Sequence, residues 1–134
     1  MRLLHTGDWH VGKALRGRSR AEEHRAVLAE IVAVAKAHEV EVALVAGDLF
    51  DTSSPNPESE EIVYRALLEL AQTTEWVVVI AGNHDHPRRL AAVEPLMRLT
   101  NIRMLTAVQR PEAGGVLTLQ TKSGAARVLT MAFR

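Results

Sequence analysis

The chain has 134 residues, 47% hydrophobic and 24% charged, with no Cys. That allows one domain with a real core, and it excludes wholesale disorder, a disulfide scaffold and a thiolate metal site. Sixteen Lys and Arg balance sixteen Asp and Glu, so no net charge draws the chain towards nucleic acid.

The opening M-R-L-L-H-T-G-D lacks the apolar stretch of a signal peptide. The longest apolar runs, Ile31–Ala35 and Trp76–Ala81, are too short to span a bilayer. A soluble cytoplasmic protein is expected. Arg2–Thr6 reads as a short strand ending at Gly7, followed by a polar stretch from Val11 to Arg20. A helix is predicted from about Ser19, taken as its N-cap with Glu22 completing a capping box, to about His38; Val27, Leu28, Ile31, Val34 and Ala35 carry its apolar spacing. Val42–Ala46 suits a strand covered on both faces. Pro55 and Pro57 break the chain, and Glu58 opens a second helix bearing Ile62, Val63, Leu67 and Leu70. Trp76–Ala81 is a third strand, Pro87 stands at the first turn of a helix to Leu99, and Ile102–Leu105 is a fourth strand.

Beyond that, Val116–Gln120, a turn at Lys122–Ala125 and Arg127–Phe133 read as a hairpin. The alternation predicts an α/β fold, a mostly parallel central sheet with helices on its faces and an antiparallel hairpin at one side. The apolar Val128–Phe133 runs to Arg134 without a polar close, which suggests a piece of a larger protein.

The four Asp (Asp8, Asp48, Asp51 and Asp85) all stand in short Gly-containing segments after apolar runs. The strands deliver G-D-W-H at 7–10, G-D-L-F-D at 47–51 and G-N-H-D at 82–85. The carboxyl edge of an open parallel sheet is where ligands bind. Asp8, His10, Asp48, Asn83 and His84 are therefore expected in one crevice. Carboxylate, imidazole and amide oxygen form a donor set suited to Mn, Fe or Zn. Asp8 and His10 chelate one ion in this reading, Asp48 bridges two, and Asn83 serves the second. Two ions about 3.5–4 Å apart suit in-line phosphoryl displacement.

Together these motifs resemble the calcineurin-like metallophosphoesterase superfamily, and within it the nuclease subunits of double-strand-break repair. L-L-H-T-G-D-W-H-V-G-K, V-A-G-D-L-F-D-T and I-A-G-N-H-D carry the likeness, which extends to about residue 105. The resemblance implies two divalent ions, Mn foremost, held by Asp8, His10, Asp48 and Asn83. It implies that His84 is not a ligand but faces the scissile phosphate, with Asp51 orienting it. It also implies DNA as substrate, an SMC-like ATPase partner, and a homodimer built from the second and third helices. The family completes its site with a later His and a G-H-x-H motif, yet no His follows His86. Residues 1–134 are thus expected to be the N-terminal part of a nuclease domain, lacking later ligands and cap, and inactive alone. A phosphoesterase for small substrates and a non-catalytic dimerisation module are the alternatives.

Lys13, Arg16, Arg18 and Arg20 form a basic run without an acid, either a solvated loop or a contact for DNA phosphates. Leu67, Leu70, Leu90, Val93 and Met97 are the dimer candidates, core packing being the simpler account. Trp9 is expected to pack at the site floor. His5 reads as a core or edge residue of its strand, His24 and His38 as helix-surface residues, and His86 as a loop residue.

Overall fold

The computed structural model describes residues 1–133. Four strands, β1 (Leu3–Thr6), β2 (Val42–Val45), β3 (Trp76–Ile80) and β4 (Ile102–Leu105), form a parallel sheet in the order β1-β2-β3-β4. Helices α1 (Ala21–Ala37), α2 (Pro57–Thr73) and α3 (Pro87–Met97) make the crossovers. A hairpin of β5 (Val116–Thr121) and β6 (Gly124–Leu129) forms a separate two-stranded antiparallel sheet.

Crossovers of one hand in an in-order sheet stack every helix on the same face. The packing follows that rule. Ala43, Val45, Val77, Val79, Ile102 and Met104 meet Leu28, Ile62, Val63, Leu67, Leu70, Leu90 and Met97 in one core. The alternate residues Val42, Val78 and Leu105 instead meet Leu119, with Leu117, Ala126 and Val128 packed around them. The helices therefore cover one face rather than both. The hairpin lies across the other face instead of extending the sheet sideways.

Several expected boundaries shift. Arg20, not Ser19, is the N-cap of α1, and its side chain makes no cap bond. The Ser19 hydroxyl accepts from Ala21 N at 3.2 Å, and no capping box forms with Glu22. Asn56 caps α2 by accepting from Ser59 N at 2.8 Å, so that helix starts at Pro57, where a missing N–H costs nothing. The strand expected to reach Phe133 ends at Leu129. Its hairpin is pinned by buried Glu41, which accepts from Arg2 N at 2.9 Å and from Ser123 N at 3.1 Å. Glu75 receives Lys122 N at 3.0 Å. Among the described residues, no helix is long and apolar enough to cross a membrane.

The packing places the dimer candidates within the chain's own core, the simpler of the two accounts. Leu67 and Leu70 are 0% exposed, Leu90 1% and Met97 5%, all inside the chain's own core. Val93 is partly buried against that core. The apolar spacing of α2 and α3 was that of a single inward face. The large apolar side chains left outside are Leu68 on α2, Leu96 on α3 and Leu99 just beyond it.

Candidate metal centre

Three loops leave the carboxyl ends of β1, β2 and β3, and the first two bind each other through backbone. Asp8 N donates to Gly47 O at 3.0 Å, His10 N to Asp48 O at 2.9 Å and Val11 N to Leu49 O at 3.0 Å, prolonging the β1–β2 pairing into the first two motifs. The second and third loops meet at their glycines. A Cβ on Gly47, whose φ is +85°, would lie 2.7 Å from Gly82 Cα, and one on Gly82 would collide with the Asp48 carboxylate. Only glycine at both positions lets the loops close.

Strain gathers here. Asp8 (φ 53°), His10 (φ 47°) and Asp48 (φ 50°) all occupy the left-handed region. Such conformations cost about 1–3 kcal/mol each and persist where the surroundings over-determine them, often at functional sites. The loop hydrogen bonds supply that constraint, and its outcome is convergence of side chains.

Donor atoms of His10, Asp48 and His84 lie within 4.8 Å of one another. His10 Nε2 stands 3.5 Å from Asp8 Oδ1 and 3.8 Å from Asp48 Oδ2. Asp48 is buried, and its Oδ1 is occupied by the His84 N–H at 2.9 Å, so Oδ2 is the oxygen that faces His10. His10 and His84 meet edge to face, centroids 4.9 Å apart. His10 Nδ1 is buried without a hydrogen bond, with the Asp51 carboxylate at 3.4 Å. Two carboxylates gathered around one imidazole nitrogen, whose other nitrogen faces a third carboxylate, fit a divalent cation.

His84 differs from expectation in its partner. Its Nδ1 lies 2.8 Å from the backbone carbonyl of Asp51, while the Asp51 carboxylate faces His10. That backbone bond, with the charges of Asp48, Asp51 and Asp85, raises the His84 pKa against the opposing effect of desolvation. Nδ1 then carries the proton that bonds Asp51, and Nε2 is left for another partner.

The crevice thus unites Asp8, His10, Asp48, Asp51 and His84. Asn83 stands exposed in the same loop as His84. Trp9 packs into the core beneath, its Nε1 donating to Thr6 Oγ1 at 2.9 Å. The basic run forms a tight exposed turn in which Leu15 and Arg18 exchange backbone bonds of 3.0 and 2.9 Å, with Arg16 (φ 50°) and Gly17 (φ 75°) at its tip. Arg20 is drawn off to Glu23 at 2.9 Å. His5 and His38 are exposed; His24 is half-buried, and burial with nearby Arg20 lowers its pKa.

Sequence reasoning assigned no role to Asp85. It is 5% exposed and accepts three backbone N–H bonds. Its signal was to be the one Asp of the four placed in no ligand or orienting role.

The model of the calcineurin-like phosphoesterase family matches residues 1–125. Among curated proteins, the D subunit of the SbcCD nuclease of Bacillus subtilis is 39% identical over 127 residues, 89% of this chain and 32% of that protein. Its namesake in Rhodobacter capsulatus is 36% identical over 139 aligned positions, 98% of this chain and 34% of the relative. That of Escherichia coli K12 is 38% identical over 107 residues, 80% and 27% respectively. The chain spans about a third of the length of these relatives.

Proposed function

The chain belongs to the calcineurin-like phosphoesterase family, and we propose that it is the N-terminal part of a nuclease domain that hydrolyses DNA phosphodiester bonds. The observation that carries this reading is the convergence of His10, Asp48 and His84, with Asp8 beside them, at three parallel strand ends. The likeness to the D subunits of SbcCD nucleases supports a nuclease over a phosphoesterase of small substrates.

In this reading Asp8 and His10 hold one divalent ion, Asp48 bridges to a second, and Asn83 contributes to that second ion. Mn is the favoured metal, with Fe and Zn compatible with the same donors. Divalent ions bound there supply Lewis acidity and charge neutralisation for phosphoryl displacement. The chain's own groups do the rest. Asp48 Oδ1 fixes the His84 backbone, and Asp51 O fixes its ring. His84 Nε2, protonated, donates to a phosphate oxygen or to the departing oxygen. Lys13, Arg16 and Arg18 hold the DNA backbone beside the first motif, and an SMC-like ATPase of the SbcC type is the partner, in the cytoplasm. Exposed Leu96 and Leu99 pair two copies.

The remaining ligands of the second ion come from the larger protein, so residues 1–134 alone are inactive. Cleavage of duplex DNA and of a chromogenic phosphoester, measured with Mn on this chain and on the full-length protein, tests the reading. Nuclease activity confined to the full-length protein and abolished in Asp48→Ala is expected. Robust turnover by residues 1–134 would overturn the incomplete-site proposal, and a full-length protein that cleaves only the small ester would overturn the nuclease.

A further inference from the structure

The second and third loops are joined by a reciprocal pair of carboxylates. From the second loop, Asp48 Oδ1 accepts His84 N at 2.9 Å. From the third, Asp85 Oδ1 accepts Phe50 N at 3.1 Å, and its Oδ2 accepts Leu49 N at 3.3 Å and Gly82 N at 2.9 Å. Asp85 is buried and appears in no ion pair among the described residues. A carboxylate without a counter-charge is costly to bury unless its lone pairs are filled. Here three backbone donors from two loops fill them.

We propose that Asp85 is the positioning residue of the metal centre: its carboxylate locks the loop carrying Asp48 and Asp51 against the loop carrying Asn83 and His84, setting the spacing of the donors. This rests on the metal-centre reading above. The placement of the three donors is what argues for it. Leu49 and Phe50 lie between Asp48 and Asp51, and Gly82 directly precedes Asn83. The bridge therefore clamps both donor-bearing segments within one or two residues of the donors themselves. It also holds Gly82 where it touches Gly47 and Asp48, the contact that excludes any side chain. Asp48 and Asp85 divide the work: one bonds across and still presents Oδ2 to the site, while the other bonds across with both oxygens and presents nothing. That division explains why a carboxylate pointing away from the crevice is needed.

An amide cannot replace it. In Asp85→Asn one oxygen becomes an NH2, which must face Leu49 N–H and Gly82 N–H or, flipped, Phe50 N–H, so donor meets donor. The test is Mn binding by calorimetry on the full-length protein, in wild type, Asp85→Asn and Leu70→Ala. Leu70→Ala destabilises the core away from the loops and controls for general loosening. Loss of a supporting partner of this kind typically weakens metal binding ~10–100-fold, and that loss is expected in Asp85→Asn at a melting temperature where Leu70→Ala keeps its affinity. Equal Mn affinity in wild type and Asp85→Asn would overturn the proposal. Wild-type amide exchange gives a second readout that needs no variant. Binding of Mn should slow exchange at Leu49, Phe50 and Gly82 and leave α1 unchanged, since coupling between clamp and ligands is reciprocal. Unchanged exchange at those three amides in Mn-bound protein would also overturn it. A wild type that binds no Mn would remove the metal-centre reading itself, and the clamp's purpose with it.

Discussion

Asp51 holds His84 through its backbone carbonyl, 2.8 Å from Nδ1, and leaves its carboxylate for His10. One residue therefore sets both imidazoles by two different groups. A substitution of its side chain removes the contact to His10 and the charge that helps raise the His84 pKa, but leaves the hydrogen bond to His84 in place.

Asp51→Ala should accordingly act on metal affinity and spare the His84 tautomer. The carboxylate at His10 Nδ1 keeps Nε2 facing Asp8 and Asp48, and removing such a support costs ~10–100-fold in affinity. Calorimetry with Mn reads the loss, and imidazole nitrogen shifts read the tautomer. A His84 ring that loses its Nδ1 proton in Asp51→Ala would show that the carboxylate, not the carbonyl, is its partner.

His84→Gln should separate rate from binding. In the full-length protein it is expected to keep Mn while losing ~10²–10³ in kcat, the usual worth of a transition-state donor. Asp8→Ala should instead weaken Mn binding directly. The His84 backbone N–H that fills Asp48 Oδ1 is kept by any residue but proline at that position, so Gln leaves Asp48 in place. Equal loss of metal in both variants would make His84 a ligand.

Legibility in the sequence followed the range of the interactions. Strand ends and the three Gly-Asp or Gly-Asn motifs are local patterns, so the sequence could say that Asp8, His10, Asp48 and His84 meet in one crevice. Which group of Asp51 reaches His84 depends on how two loops cross, with Gly47 seated against Gly82; no spacing in the chain encodes it. The hairpin misled for a similar reason. Alternation in Val116–Thr121 shows that one face is buried but not on what, and Leu119 chose the open face of the sheet over its edge. Met97 and Leu90 left two accounts open, since an inward stripe and an interface stripe have the same period, and the packing puts both side chains in the core.

Acid should loosen the hairpin through Glu41. Bonds from the Ser123 segment, Arg2 N and Thr121, with the amino terminus nearby, hold its pKa down to about 2, overcoming the opposing effect of burial. Its unfolded value is near ~4.3. The folded state therefore binds the proton more weakly. The contribution to stability is full above the unfolded value and drains away as pH falls from there through about 2. Glu41→Gln should melt earlier than wild type at neutral pH and converge with it in acid. Thermal melts across that range check the prediction; parallel curves would assign the acid dependence to other carboxylates.

Assembly can be tested by neighbouring residues at the end of α3. Leu96 is 66% exposed and Leu99 85%, whereas Met97 between them is 5% exposed and packed in the core. If α3 pairs across a two-fold axis, Leu96→Glu and Leu99→Glu should each dissociate the dimer, because a self-complementary patch receives the charge twice. Neither should lower the stability of the single chain by more than ~0.5 kcal/mol, the usual limit for exposed sites. Met97→Glu should do the opposite. It buries an unpaired charge, so the fold itself fails before any interface is read. Light scattering beside thermal melts separates the two effects. A dimer indifferent to both exposed substitutions would place the interface elsewhere than at the end of α3.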